Sequence, residues 1–330
     1  MVPKQQQSFD AAAFYLGQKH FLQSAAWDSF QQACGNEIIE RQGSALDGGT
    51  WEYLAIVEKG RFSSRLYCPY GPVFSSHAAL AEALASLEAE ARSNALEFVR
   101  VEPRGNLTAQ ELPALGLKPA AHNVQPPDTA ILDVRAGEVS EEFILKRAST
   151  TRRQLYRYSL RDGVEYRTSY DPADMRHFLD MLHIVAERTG IAPHDDAYFT
   201  TMSEVLFPQK AAGLLLSVLE GTPIASLIFY TDGTTLGYAH AASVEGYRKL
   251  SPPSGLLMHA QFFARESGHT LLDTYGVAPE GANKGHPWAG FSQFKESFGG
   301  VRVHYPGTWE LPVRKLRYTI YNAVGRVLEK

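Results

Sequence analysis

The sequence predicts a mixed α/β protein made of two domains in tandem. The chain has 330 residues, roughly twice the ~150 residues expected for one domain. Its hydrophobic content of 44% and aromatic content of 11% are typical of a globular protein with buried cores. Helical and strand patterns alternate in both halves, with helices before and after a central group of strands. The sequence contains no short-period repeat, which excludes a solenoid.

The first half predicts helices and strands in alternation. Leu80, Leu84 and Leu87 recur at helical spacing in an alanine-rich segment, which predicts a helix over 77–94. Another helix is predicted over 24–35. The β-type runs of this half predict strands over 51–58, 65–74, 96–101 and 130–134.

The second half repeats this order. Ser140 is a typical helix cap and predicts one long helix that runs to Asp162. Asp171 followed by Pro172 predicts the start of another helix, which ends at Gly190. Further helices are predicted over 197–206 and after Pro253. The strands of this half are predicted over 164–168, 214–220, 224–230, 235–242, 270–275 and 301–305.

The chain closes on a predicted amphipathic helix. Leu316, Ile320, Val324 and Leu328 lie on one face of it. In each half, the predicted order is helices, then antiparallel strands, then a strand–helix–strand unit. This order resembles the acyltransferase fold of the N-acetyltransferase superfamily, present twice.

The segment 291–300 is the strongest candidate for a catalytic site. It places Lys295 among three phenylalanines and ends in a glycine pair. Aromatic faces keep a lysine stem dry and its ammonium fixed, so this group could stabilise an oxyanion. The alternative is a solvated lysine on the surface of an amphipathic helix.

The helix predicted after Ser140 is strongly basic. Lys146, Arg152, Arg153 and Arg157 follow one another with Tyr156 among them, and Lys146, Arg153 and Arg157 are spaced to share one face. Arginine interleaved with aromatic residues suits a phosphodiester backbone and exposed bases, so this helix is a candidate for the acceptor arm of a tRNA. The alternative is a solvated basic face. The net charge of −4 argues against a protein that coats nucleic acid over a broad surface.

The loop at 248–255 bears on acyl-CoA binding. N-acetyltransferases hold the cofactor pyrophosphate on free N–H groups where the central strand opens into a helix. Here Pro252 and Pro253 have no N–H to donate, and the usual glycine pattern is missing. We therefore expect a protein that has the N-acetyltransferase fold but does not bind acyl-CoA. No other cofactor is predicted.

Other classes of site find little support. His194-Asp195-Asp196 fits a helix-capping turn better than a metal or base constellation. No cluster has the spacing of metal ligands, and no Ser–His–Asp order suggests a triad. Cys34 and Cys68 suggest reduced thiols of a cytoplasmic protein, and the polar N-terminus lacks a signal-peptide core.

The ordered set of short motifs resembles the Fem family of peptidoglycan-bridge aminoacyltransferases, in particular its compact FemX type. The set covers nearly the whole chain. The resemblance rests on the order of the motifs, because no single motif is specific by itself. Its segments are Phe21…Trp27, Tyr67-Cys-Pro-Tyr-Gly-Pro-Val73, Arg100-Val-Glu-Pro103, Gln125-Pro…Asp133, Ala186-Glu-Arg-Thr-Gly190, Tyr238, Asp273…Gly276 and Phe294-Lys-Glu-Ser-Phe-Gly-Gly300.

The resemblance implies two acetyltransferase-like domains and a C-terminal helix that returns to the first. The first domain is expected over 1–137 plus about 311–330, and the second over 138–310. The implied activity moves an amino acid from aminoacyl-tRNA to the stem peptide of a peptidoglycan precursor, either lipid-linked or a UDP-linked muropeptide. The implied protein is a cytoplasmic monomer with a peripheral contact at the inner face of the membrane.

The resemblance also implies roles for individual residues. Lys295, preceded by Phe294, would stabilise the tetrahedral intermediate. The residues implied in substrate binding are Arg188, Tyr198, Tyr70 and either Tyr238 or Tyr247. As alternatives, Tyr198, Tyr238 and Tyr247 could be core aromatics with a solvent-exposed hydroxyl. Arg188 could close its helix against the C-terminal dipole.

Two other functions remain open. One is an acyl-CoA-dependent N-acyltransferase acting on a cell-envelope sugar or peptide. The double proline weighs against it. The other is a non-catalytic Fem-like protein that binds precursor or tRNA. Lys295 in its aromatic setting weighs against that one.

Overall fold

Two compact units, each discontinuous in sequence, make up the structure. The structure, a computed structural model, describes residues 9–60, 63–105, 107–247, 249–283 and 285–328. The first unit comprises Leu16–Pro127 and His304–Lys330, and the second comprises Met1–Tyr15 and Asp128–Val303. The division at Pro127 precedes the predicted boundary at 137, because the strand that starts at Asp128 pairs within the second sheet.

The first unit contains a seven-stranded sheet. Its strands are β1 (Glu37–Ser44), β2 (Thr50–Lys59), β3 (Ser64–Cys68), β4 (Val73–Phe74), β5 (Phe98–Val101), β6 (Lys118–Pro119) and β14 (Trp309–Pro312). Their order is β1-β2-β3-β5-β14-β6, with β4 on β2. Among these described strands, only β3 and β5 run parallel. Its α-helices are α2 (Ala25–Ala33), α3 (His77–Ser93) and α10 (Lys315–Leu328), and short 3-10 helices span Phe21–Gln23 and Leu112–Leu115.

Helix α3 packs through the face that its leucines predict. Leu80, Leu84 and Leu87 are buried in the core of the first unit, so the helical spacing correctly identified the packed side.

Helix α10 packs through a different face from its predicted apolar stripe. Leu316 is 77% exposed and Ile320 is 55% exposed, whereas Tyr318 is buried. The rings of Tyr318 and Tyr321 pack on Phe98, with centroids 5.4 and 4.9 Å away. The tyrosines take the packed position because their rings fill the space over Phe98 while the Tyr318 hydroxyl donates to Glu310 at 2.9 Å.

The second unit contains another seven-stranded sheet. The strands are β7 (Asp128–Asp133), β8 (Glu165–Ser169), β9 (Ala212–Leu219), β10 (Thr222–Thr231), β11 (Thr235–Ser243), β12 (Leu271–Asp273) and β13 (Val301–His304). Their order is β13-β7-β12-β11-β10-β9-β8. Strands β11 and β12 run parallel. The α-helices are α1 (Ala11–Leu16), α4 (Glu141–Arg147), α5 (Thr150–Arg161), α6 (Met175–Thr189), α7 (Asp196–Leu206), α8 (Pro252–Glu266) and α9 (Ala289–Glu296), with a 3-10 turn at Pro172–Asp174.

The long helix predicted after Ser140 is in fact two helices. Ala148 leaves the helical conformation with a ψ of 149°, and the side chain of Ser149 accepts from the amide of Arg152 as the cap of α5. The prediction of one continuous helical face for Lys146, Arg153 and Arg157 was therefore wrong. The cause is local, because a serine in extended conformation caps a new helix more readily than it continues the old one.

Among the helices that the structure describes, none combines the length and the apolar character that crossing a bilayer requires.

Candidate active site

Lys295 is a buried lysine on α9. Its residue is only 2% exposed. The Nζ group donates to the main-chain oxygens of Tyr275 at 3.1 Å and Gly276 at 2.9 Å. It also lies 4.0 Å from the ring centroid of Phe291 and 5.6 Å from that of Tyr238. The alternative of a solvated surface lysine is thus wrong for this structure.

The two carbonyls that hold Lys295 follow directly after β12. Tyr275 has a φ of +54°, an uncommon conformation for a residue with a side chain. Its amide donates to the carboxylate of Asp273 at 2.7 Å, which stabilises the turn. Gly237 on β11 leaves room for the Tyr275 ring, because a Cβ there would lie 2.5 Å from that ring.

A β-bulge places Tyr238 beside Lys295. Phe229 pairs with Tyr238 while Ile228 pairs with His240, so Ala239 is an extra residue on β11. Such bulges redirect a side chain and are frequent next to active sites. Tyr238 is buried, and burial raises the pKa of its phenol, so it stays protonated. Of the two tyrosines left open by the sequence, Tyr238 is the one that lies at Lys295.

Burial sets the charge of Lys295. Desolvation lowers the pKa of its ammonium from 10.5 to about 7, and the nearby carboxylate of Asp273 partly opposes this effect. Asp273 itself is buried and accepts hydrogen bonds from the hydroxyls of Tyr15 and Thr129. Both protonation states of Lys295 are therefore populated near neutral pH.

The three phenylalanines around Lys295 have different positions. Phe291 covers the ammonium, and Phe298 is fully buried in the core. Phe294 packs edge-on against Phe298, with centroids 5.4 Å apart, and its face carries the guanidinium of Arg152 at 4.8 Å. The aromatic partners of the Lys295 ammonium are thus Phe291 and Tyr238.

Arg152 joins three helices of the second unit. Its Nε donates to the hydroxyl of Ser297 at 2.8 Å, just after α9, and its Nη1 donates to that of Ser254 at 2.8 Å, in the first turn of α8. Burial lowers the pKa of Arg152. This arginine, predicted to bind tRNA, is instead directed into the unit and holds the end of the helix that carries Lys295.

The other predicted tRNA-binding residues lie nearer the surface. Lys146 is exposed and pairs with Glu142 at 2.7 Å. Arg153 is half-buried and makes long hydrogen bonds of 3.4 Å to the Leu145 carbonyl and the Thr150 hydroxyl. Arg157 is exposed.

The start of α8 has few backbone donors for a phosphate. Pro252 and Pro253 occupy its first two positions. The next two amides, of Ser254 and Gly255, donate to the carbonyl of Ser251 at 2.8 and 3.3 Å. A helix N-terminus binds anions through free N–H groups. None of the first four positions of α8 offers such a group.

Three other predicted substrate-binding residues lie on or next to other helices of the second unit. Arg188 is exposed at the end of α6 and pairs with Glu245 at 3.3 Å. Tyr198 in α7 stacks on His194 with centroids 3.9 Å apart. Tyr247 is half-buried in the turn that precedes α8.

The predicted capping role of Asp195 is confirmed, since its carboxylate accepts from the amide of Tyr198 at 2.9 Å. Within the described residues, no group of three His, Cys, Asp or Glu side chains could hold a metal ion.

Tyr70 lies in the first unit. It has a φ of +46°, and its hydroxyl donates to the Pro126 carbonyl at 3.0 Å. Nearby Glu102 is a buried carboxylate that accepts from the hydroxyls of Tyr67 at 2.8 Å and Thr308 at 2.6 Å. Burial raises the pKa of Glu102, against the effect of these hydrogen bonds.

Sequence reasoning missed Asp273 and Tyr15 as members of the Lys295 site. The available signal was an aspartate at the end of an otherwise apolar strand, Leu271–Asp273, since a buried carboxylate requires partners.

Comparisons with known proteins concern the family and the fold. Residues 217–326, which include α8, β12 and α9, match the FemAB family. The fold is similar to the crystal structure of FemX, with a TM-score of 0.80 and 17% identity over 94% of this chain and 97% of that one. No curated protein sequence matches the chain.

More distant structures share the tandem architecture. The C-terminal domain of a putative lysylphosphatidylglycerol synthetase from Agrobacterium fabrum has a TM-score of 0.54 and 12% identity, with 95% of this chain and 94% of that one covered. A tandem GNAT protein from the clavulanic acid biosynthesis pathway has a TM-score of 0.51 and 12% identity, with 92% of each covered. These likenesses confirm the predicted fold of two acetyltransferase-like domains.

Proposed function

We propose that this protein, whose residues 217–326 match the FemAB family, transfers an amino acid from aminoacyl-tRNA to the stem peptide of a peptidoglycan precursor. The family and the fold support a transferase of cell-wall synthesis. The observation that carries the finer proposal is the Lys295 ammonium, held on two carbonyls of the main chain against the faces of Phe291 and Tyr238.

The proposed reaction is an aminolysis of the aminoacyl ester. The amine of the stem peptide attacks the ester carbonyl, a C–N bond forms, and the carbonyl oxygen takes up negative charge. The C–O bond to the ribose then breaks, and the proton lost by the amine goes to the ribose oxygen. Two N–H groups of Lys295 are held by the carbonyls of Tyr275 and Gly276, which leaves the third for the oxyanion.

Acyl-CoA is the less favoured donor for a specific reason. Pro252 and Pro253 remove two amides from the start of α8, and Ser254 uses its own within the turn. Aminoacyl-tRNA does not require a pyrophosphate cradle at this helix. We therefore expect acetyl-CoA to give no measurable binding heat, and a micromolar site found by calorimetry would favour the acyl-CoA enzyme instead.

The test is transfer of an amino acid in vitro. The protein is incubated with charged tRNA pools and either a UDP-linked or a lipid-linked pentapeptide precursor, and the product mass identifies the residue added. Precursor binding without any mass increase across the tRNA pools would indicate the non-catalytic alternative.

Lys295→Met tests the role of the ammonium. The change keeps the apolar stem and removes the donor, so turnover should fall by ~10²–10³ with precursor affinity nearly intact. Lys59→Met is the matched control, because Lys59 is an exposed lysine that pairs with Glu37. A raised KM with unchanged kcat would show that Lys295 only grips substrate.

A further inference from the structure

Helix α10 has an apolar stripe that no described residue covers. Leu316 and Ile320 are among the most exposed large hydrophobic residues of the described chain, at 77% and 55%. The opposite face of α10 packs on the first unit through Tyr318 and Tyr321. The helix is therefore fixed by one face and offers the other to its surroundings.

The sequence extends this stripe along the helix. Ala323 follows Ile320 by three residues and Leu316 by seven, which keeps all three on one side of the helix, and it is exposed as well. Lys315 and Arg317 are the immediate neighbours of Leu316, so they project about 100° to either side of the stripe. The stripe is thus apolar at its centre and basic along both edges.

The local charge contrasts with that of the whole protein. Residues 314–330 contain five lysines and arginines and one glutamate, a net charge of +4, whereas the whole chain has −4. Lys315 is exposed, and Arg317 remains 64% exposed beside Glu97, at 3.6 Å. A helix face that is both basic and apolar complements a negatively charged, partly apolar partner.

We propose that α10 docks this protein on an anionic lipid bilayer, lying flat in the interface with its Leu316–Ile320 side inserted. Helices with an apolar stripe between basic flanks bind in this way, since the aliphatic side chains enter the acyl boundary while Lys and Arg reach the headgroups. The 14 residues of α10 span about 21 Å, too short to cross the ~30 Å hydrocarbon core. This docking is independent of the acyl-transfer chemistry, so either proposal can fail alone.

Sedimentation with vesicles tests the docking. The wild type should bind vesicles of phosphatidylglycerol and phosphatidylcholine, and should bind pure phosphatidylcholine vesicles much less. Leu316→Glu combined with Ile320→Glu should lower the partition coefficient at least about tenfold. Leu46→Glu is the control, because Leu46 is a fully exposed leucine of the β1–β2 turn in the same unit.

The basic flanks are tested separately. Lys315→Gln and Arg317→Gln should each reduce binding to anionic vesicles about fivefold, and the loss should shrink at high salt. Equal binding to neutral and anionic vesicles, or full binding by the double glutamate variant, would overturn the proposal. So would light scattering of a wild-type dimer that Leu316→Glu converts to a monomer, since the stripe would then be an interface between two copies.

Discussion

The buried ammonium of Lys295 should make the stability of this protein depend on pH in a way that Lys295→Met removes. Lysine in the unfolded chain has a pKa of 10.5, and in the folded protein it is lowered to about 7. Between these values the unfolded state binds more protons, so the free energy of unfolding rises as the pH rises through this window. Below pH 7 the folded protein carries the full cost of a desolvated charge.

The magnitude follows from the size of the pKa change. At about 1.4 kcal/mol per pH unit, a drop from 10.5 to about 7 corresponds to about 5 kcal/mol in full. Over the accessible range from about pH 7 to about pH 9, the wild type should gain about 2 kcal/mol of stability relative to Lys295→Met. The variant also leaves the carbonyls of Tyr275 and Gly276 without their donor, which adds an offset that does not vary over this range.

The assay is urea unfolding of both proteins at a series of pH values, with the difference in free energy of unfolding plotted against pH. Subtraction removes every other titrating group that the two proteins share. Lys59→Met controls for loss of a surface lysine. Parallel pH curves for the wild type and Lys295→Met would refute the claim that Lys295 is a desolvated cation.

Three other predictions concern activity. If the ammonium is the active form, kcat/KM should fall as pH rises through the Lys295 pKa of about 7; a rise would assign the neutral amine as a base. Arg152→Lys cannot reach Ser254 and Ser297 together, so kcat should drop roughly tenfold or more with the KM for tRNA unchanged. A raised KM with a shallower salt dependence would make Arg152 a phosphate contact. Arg153→Glu combined with Arg157→Glu should weaken tRNA binding and lower the slope of its salt dependence by about one per lost contact, as measured by filter binding at several salt concentrations. Unchanged affinity would mean that these arginines form a solvated face that does not bind tRNA.

Local patterns predicted the central strands well. The run predicted as 224–230 lies within Thr222–Thr231 and is buried, because a mostly apolar run between glycine turns has few alternatives to a buried strand. Glu37–Ser44 was missed because it lies at the sheet edge, and its mostly exposed residues show no apolar alternation. Trp309–Pro312 depends on its partners β5 and β6, which are distant in sequence.

The candidate site could be predicted only where its residues are close together in sequence. Lys295 was predicted because three phenylalanines lie near it in the segment 291–300. Tyr15 and Asp273 are 258 residues apart, so no local pattern could pair them. Arg152 was recognised as a cation, but the serines that fix its direction belong to α8 and to the end of α9.

The position of β14 has a consequence for how the chain is made. This strand lies between β5 and β6 in the first sheet, yet Trp309–Pro312 is synthesised only after the second unit, which ends at Val303. Among the described strands, β14 is the one that pairs with β6, so β6 stays unpaired in the sheet until then. Order of synthesis and order of assembly therefore differ, and a nascent chain halted before residue 309 would hold an open sheet edge available to chaperones and to other chains.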